Sequence, residues 1–198
     1  GAGLTAAVLD TGLRVSHVCF RGRVLEVHNF TGTGAEDDVT DTNGHGTNVA
    51  GLIAAGTSDE RRGIAPGANI VPLKVLPAQT LDPILKALRW VLGNAARLKI
   101  SVVNMSLGVP GLNFVADLQA RAEYSDLHEV IKQIYSMNIA LCVAAGNDYY
   151  QFQTEGMSLP AIFREVIAVG AVYDSSVGDR SYASGAAAYM THADQITP

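Results

Sequence analysis

The stretch Leu4–Gly12 reads LTAAVLDTG. A near-continuous apolar run closes on an acid, a hydroxyl and a glycine. A strand shows alternate residues to opposite faces, so a run apolar on both parities predicts a strand covered on both sides. Thr11-Gly12 then supplies the turn that ends it.

The same kind of run recurs along the chain. Asn69–Leu76 (NIVPLKVL), Ile100–Met105 (ISVVNM), Ile139–Ala145 (IALCVAA) and Val166–Val172 (VIAVGAV) are apolar and short, the length of buried strands. Pro72 lacks an N–H, so the second of these predicts an edge position or a bulge. Val24–Phe30 (VLEVHNF) alternates and predicts a more exposed strand.

Helical patterns separate the strands. Gly46–Ala55 is small and apolar, with Gly56 as its stop. Asp82 can cap a helix whose first turn holds Pro83. Ile84, Leu85, Leu88, Val91, Leu92 and Ala95 then recur at helical spacing down to about Leu98. Leu118–Met137 repeats that pattern, and Asn138 is its stop. Buried strands alternating with helices predict an α/β fold, a doubly wound and mostly parallel sheet with helices on both faces. With no internal repeat or linker, residues 1–198 read as one domain.

Composition narrows the function classes. The chain has 198 residues, 48% hydrophobic and 17% charged, and a net charge of −5. Without a basic block it is a poor match to nucleic acid. No apolar run reaches the roughly 18 residues of a membrane span. No basic-then-apolar leader opens it. Cys19 and Cys142 are too few for a disulfide framework.

In open α/β sheets, ligands bind outside the carboxyl ends of the strands. The residues there are Asp10-Thr11-Gly12, Ser106-Leu107-Gly108 and Gly146-Asn147-Asp148, with His45 at the mouth of the helix after Gly44. Each alone reads as turn chemistry. Together they place an acid, a histidine and an amide donor on one rim. That set suits acyl transfer: an acid orients a histidine base, and an amide stabilises the oxyanion.

Six segments carry a resemblance. AVLDTG (7–12), HGTNVAG (45–51), GIAPGANI (63–70), VVNMSLG (102–108), VAAGND (143–148) and VIAVGAV (166–172) resemble, in order, motifs of the subtilisin-like serine proteases. The resemblance implies that Asp10 orients the imidazole, His45 is general base and then acid, and Asn147 donates to the oxyanion. It implies that Ser106, Leu107 and Gly108 pair with the substrate backbone as an added strand. Ala144, Ala145 and Gly146 would wall the pocket for the residue before the scissile bond. It also implies peptide or protein substrates, no required cofactor, and a secreted or extracytoplasmic location.

The chain departs from the family pattern. Asn48 stands where HGTHVAG has a second histidine, and Val18 where a (S/T)HP-like turn has proline after His17. Above all, no GTSMA-type serine motif occurs. SYASGAAAY contains Ser184 but has no Gly-Thr before that serine. The nucleophile is therefore expected beyond residue 198, and these residues alone are expected to be inactive. A bare sheet face would then pair with a further copy or with the serine segment. The rival reading is a pseudoprotease that holds extended peptides uncut. A metal-dependent hydrolase using Asp10, His45 and the acids of Ala35–Asp41 is a weaker rival, since one histidine is thin for such a site. Calcium is weighed for that acidic stretch, but it reads as a solvated loop and no metal ligands are assigned.

Overall fold

A computed structural model describes residues 1–56, 62–78 and 80–170. The strands are β1 (Thr5–Asp10), β2 (His28–Asn29), β3 (Asn69–Lys74), β4 (Ile100–Met105), β5 (Ala140–Ala144) and β6 (Ile167–Val169). They form one sheet in the order β2-β3-β1-β4-β5-β6, every pairing parallel. The helices are α1 (His45–Ala54), α2 (Asp82–Leu98), α3 (Asp117–Glu123), α4 (Ser125–Ser136) and the short α5 (Tyr149–Phe152).

Strand parity sorts the core into two layers. Ala7, Leu9, Val71, Leu73, Val103 and Leu141 face one side with α2 and α4, through residues such as Leu88 and Ile131. Ala6, Val8 and Ile70 face the other side with Ala50 and Ala54 of α1 and with Phe20. This is the doubly wound arrangement expected from the buried runs. The helix α1 packs on β1 and β3. Beyond them, Val102, Asn104, Cys142 and Ala144 are half-buried and Ala140 is exposed. Burial pushes the Cys142 thiol pKa up.

Several expectations need correction. Pro72 lies inside β3, between β2 and β1, not at an edge. The bonds from Ile70 N to Arg23 O and from Phe30 N to Lys74 O set the direction in which residues 70, 72 and 74 point. Pro72 therefore withholds its missing N–H on the β2 side. There the expected strand 24–30 shrinks to a Val24–Ile70 bridge and the two residues of β2. The expected helix 118–137 is two helices, α3 and α4, broken at Tyr124 (φ −124°, ψ 45°). The Tyr124 ring stands edge-on to Phe114, with centroids 6.2 Å apart. Asp82 is not the cap of α2: Leu81 holds that position, and Asp82 pairs with Lys86 at 2.6 Å. Asn138 does stop α4, in a left-handed conformation (φ 59°).

The order of strands reverses between β1 and β4. Chain connections diverge from such a point, which leaves a crevice at the strands' carboxyl ends. Asp10 ends β1 there, and Ser106 follows β4.

Candidate active site

The acid comes first. Asp10 ends a fully buried strand and is itself 1% exposed. The chain must then turn at once, and Gly12 does so at φ +123°, where a Cβ would overlap the Val39 carbonyl oxygen. The histidine opens α1, after Gly44 in a left-handed conformation (φ 94°). Gly46 lets that helix end approach β1: a Cβ there would overlap the Gly12 carbonyl oxygen and lie 3.1 Å from Asp10. The approach brings His45 Nδ1 to 2.7 Å from Asp10 Oδ1. A carboxylate oxygen accepts, so Nδ1–H donates. The Thr11 backbone N–H donates to the same oxygen at 2.7 Å. Asp10 Oδ2 is buried without a hydrogen bond among the described residues. The His45 side chain is 49% exposed.

The start of α1 is gathered by Asp41. Its Oδ1 accepts from Thr11 Oγ1 (2.9 Å), Gly44 N (2.8 Å) and Asn43 N (3.2 Å). Its Oδ2 accepts from Thr47 N (2.9 Å) and Thr47 Oγ1 (2.6 Å). Burial raises the pKa of this carboxyl, but the Thr47, Gly44 and Thr11 donors outweigh it and hold it at about 2. A further bond runs from Gly46 N to Thr11 Oγ1 at 2.9 Å.

The segment Ser106-Leu107-Gly108 divides the crevice. On one side it lines a groove of about 620 Å³ with Thr11, His45 and Leu81. On the other it lines a cleft of about 100 Å³ with Ala144, Gly146 and Asn147. Ala145 and Gly146 continue into a third cleft of about 400 Å³, walled by Leu112, Phe114 and Met157 with Asp148 at its edge. Asp148 Oδ2 accepts from Gly111 N at 3.2 Å. Asn147 is exposed, and its side chain makes no hydrogen bond among the described residues. The structure thus joins Asp10 to His45 directly. It sets Asn147 across the Ser106–Gly108 wall from them.

Known proteins resemble this chain along most of its length. A profile of the subtilase family matches residues 1–196. The chain belongs to the subtilase family. The "Major intracellular serine protease" of Bacillus subtilis (strain 168) is 35% identical over 179 residues, 87% of this subtilase and 52% of that protein. The "Intracellular serine protease" of Paenibacillus polymyxa is 34% identical over 87% of this chain and 50% of its own length. The chain therefore spans about half the length of these relatives. The solved structure of "S41 Psychrophilic Protease" superposes with a TM-score of 0.69 at 28% identity, covering 88% of this chain and 55% of that one. The names of the first two relatives place those proteins inside the cell, so an extracytoplasmic location does not follow from family membership. No described helix is long and apolar enough to cross a membrane.

Two site residues of this subtilase escape a reading by motif. Ser158, 3% exposed, accepts from Val109 N and donates to Val109 O, each at 2.9 Å, while its own N–H donates to Ala145 O at 2.8 Å. It ties the Ser106 segment to the Ala145 segment. No local pattern marks it, because both partners are distant in sequence. Asp41 was visible only as one acid of an acidic stretch. Within that stretch Asp38 turns back on Thr40 N at 3.0 Å. Among the described residues no group of three His, Cys, Asp or Glu is placed to hold a metal. Asn48 is exposed on α1, its N–H on Gly44 O at 3.0 Å. Ser184 lies outside the described residues, as does the end of the expected strand 166–172.

Proposed function

We propose that this subtilase serves as a serine endopeptidase, with Asp10, His45 and Asn147 as three members of its catalytic machinery. The observation that carries the reading is the 2.7 Å bond between His45 Nδ1 and the buried Asp10 at the topological switch point. With Nδ1 protonated, Nε2 is the basic nitrogen. It takes the proton of a serine hydroxyl as that oxygen attacks the peptide carbonyl, then returns the proton to the leaving amine. The Asn147 side-chain amide donates to the oxyanion formed in between. Substrate backbone pairs along Ser106–Gly108. The 400 Å³ cleft beside Ala145 and Gly146 takes a large, mainly apolar side chain.

The nucleophile is assigned to no residue of the chain. The sequence holds no GTSMA-type motif, and residues 1–198 are proposed to be inactive by themselves. One alternative is a peptide-binding pseudoprotease. The test compares the protein as its host makes it with residues 1–198. Peptide hydrolysis by the first, blocked by a serine-directed inhibitor, together with none by the second, supports the protease. Peptide binding by the host protein without any hydrolysis supports the pseudoprotease. Inhibitor-sensitive hydrolysis by residues 1–198 overturns the assignment of the nucleophile.

A further inference from the structure

The histidine's helix has no side-chain cap of its own. Gly44 occupies the cap position with nothing to offer the first N–H groups of α1. Such orphan donors need an acceptor. The His45 N–H donates to Asn43 Oδ1 at 3.2 Å and the Gly46 N–H to Thr11 Oγ1, while Asp41 takes the Thr47 N–H and that of the cap residue, Gly44. A further contact leaves the helix: Thr11 Oγ1 donates to Asp41 Oδ1 at 2.9 Å. Thr11 is the residue after Asp10, and its hydroxyl also accepts from Gly46 N, beside His45. One carboxylate thus pins the chain on both sides of the Asp10–His45 bond.

We propose that Asp41 is a positioning residue for His45, fixing through Thr11 and Thr47 the approach of α1 to β1 that closes the Asp10–His45 hydrogen bond. The five converging donors call for an acceptor-only group. An amide in its place turns an NH2 toward either Thr47 or the Thr11 and Gly44 donors, leaving donors unpaired. A carboxylate at a helix N-terminus also has a favourable interaction with the helix dipole that an amide lacks. The inference rests on the reading of His45 as the proton shuttle, but its first test does not require turnover.

That test reads the His45 Nδ1 proton by nitrogen-edited NMR on the full chain. In Asp41→Asn its exchange with water is expected to speed up roughly tenfold or more, the factor set by losing a hydrogen bond to a charged group. Backbone amides of the β1 and β4 core are expected to exchange with a smaller change. Asp37→Asn, a nearby acid outside this network, is the control and leaves the Nδ1 proton unchanged. Thr11→Val and Thr11→Ser guard against an Asp41 variant that fails to fold. The valine variant repeats the effect, and the serine variant, which keeps the hydroxyl, restores the slow exchange. Unchanged Nδ1 exchange in both Asp41→Asn and Thr11→Val overturns the proposal. So does a change that core amides match in size. In the protein as its host makes it, Asp41→Asn lowers kcat with little change in KM. Absence of turnover from the unaltered protein sinks the protease reading and leaves the imidazole result standing.

Discussion

His45 Nδ1 lies 2.7 Å from Asp10 Oδ1, and the other oxygen of that carboxylate is buried without a hydrogen bond among the described residues. The buried charge therefore has its compensation concentrated on one oxygen, shared by the imidazole and the Thr11 N–H. An imidazole held this way keeps one tautomer, and the acid supports the imidazolium when it forms.

Replacing Asp10 by Asn keeps the shape and changes the tautomer. The amide NH2 turned toward Nδ1 favours the form with its proton on Nε2, which cannot act as base. In the protein as its host makes it, kcat is expected to fall about 10,000-fold, with KM changed little. Steady-state kinetics on a peptide substrate check this. Nitrogen shifts of His45 should show the tautomer reversed.

Ser158 holds the two walls of the crevice together. Ser158→Ala removes both of its bonds to Val109 and leaves Val109 N with only its longer bond to Leu159 O at 3.2 Å. The expected loss is roughly 1–3 kcal/mol, read as a lower midpoint of denaturant unfolding at unchanged slope. Gly146→Ala strikes the same contact from the other side. It sits at φ +121°, and its Cβ would fall 2.9 Å from that of Ser158. Both variants should also weaken binding of an extended peptide. Unfolding midpoints that match the unaltered protein would mean the contact bears no load.

Motif reading reached the acid and the histidine because each lies beside glycines whose spacing is local. Thr5–Asp10 is buried on both parities, and the apolar run that encodes this placed Asp10 at the end of an internal strand. Ile100–Met105 became β4 with those same bounds, although Ser101, Val102 and Asn104 are only half-buried. The helix break at Tyr124 left no such mark, since the apolar spacing runs on through Leu127, Val130 and Ile131 while the backbone turns. Pro72 misled for a related cause. A missing N–H forbids pairing on one side only, and the short reach of β2 on that side is a property of the assembled sheet. Ser158 and Asp41 were hidden because their roles exist only across loops of the folded chain.

The strand β6 borders the sheet among the described residues and exposes more than half of Ile167 and of Val169. An exposed apolar edge strand is a template for pairing with another chain. Residues 1–198 are expected to self-associate with rising concentration, seen by light scattering. Ile167→Lys places a charge on the edge and should shift that association to higher concentration. Monomeric behaviour of the unaltered chain throughout the range would remove the basis for this prediction.

Acid should unfold the protein through two particular carboxyls. The bidentate Arg97 bonds at 2.5 and 3.0 Å hold Glu26 at about 2, down from 4.5. The Asp41 carboxyl stands at about 2 against an ordinary 3.8, because its Thr and backbone donors outweigh burial. A pKa depressed on folding means that the unfolded chain binds protons more readily. Stability from these groups is therefore complete above their unfolded values and is lost as pH falls toward their folded ones. The window runs from about pH 4.5 down to about 2. Asp41→Asn and Glu26→Gln each remove a titrating group, so each should flatten the fall of the unfolding midpoint across that window. Glu26 is at the surface, where salt screens its ion pair, so its share should shrink at high ionic strength. Asp41 relies on neutral donors a few ångströms away, so its share should persist. Equal salt sensitivity of the two slopes would mean that the Asp41 shift is not set by those hydrogen bonds.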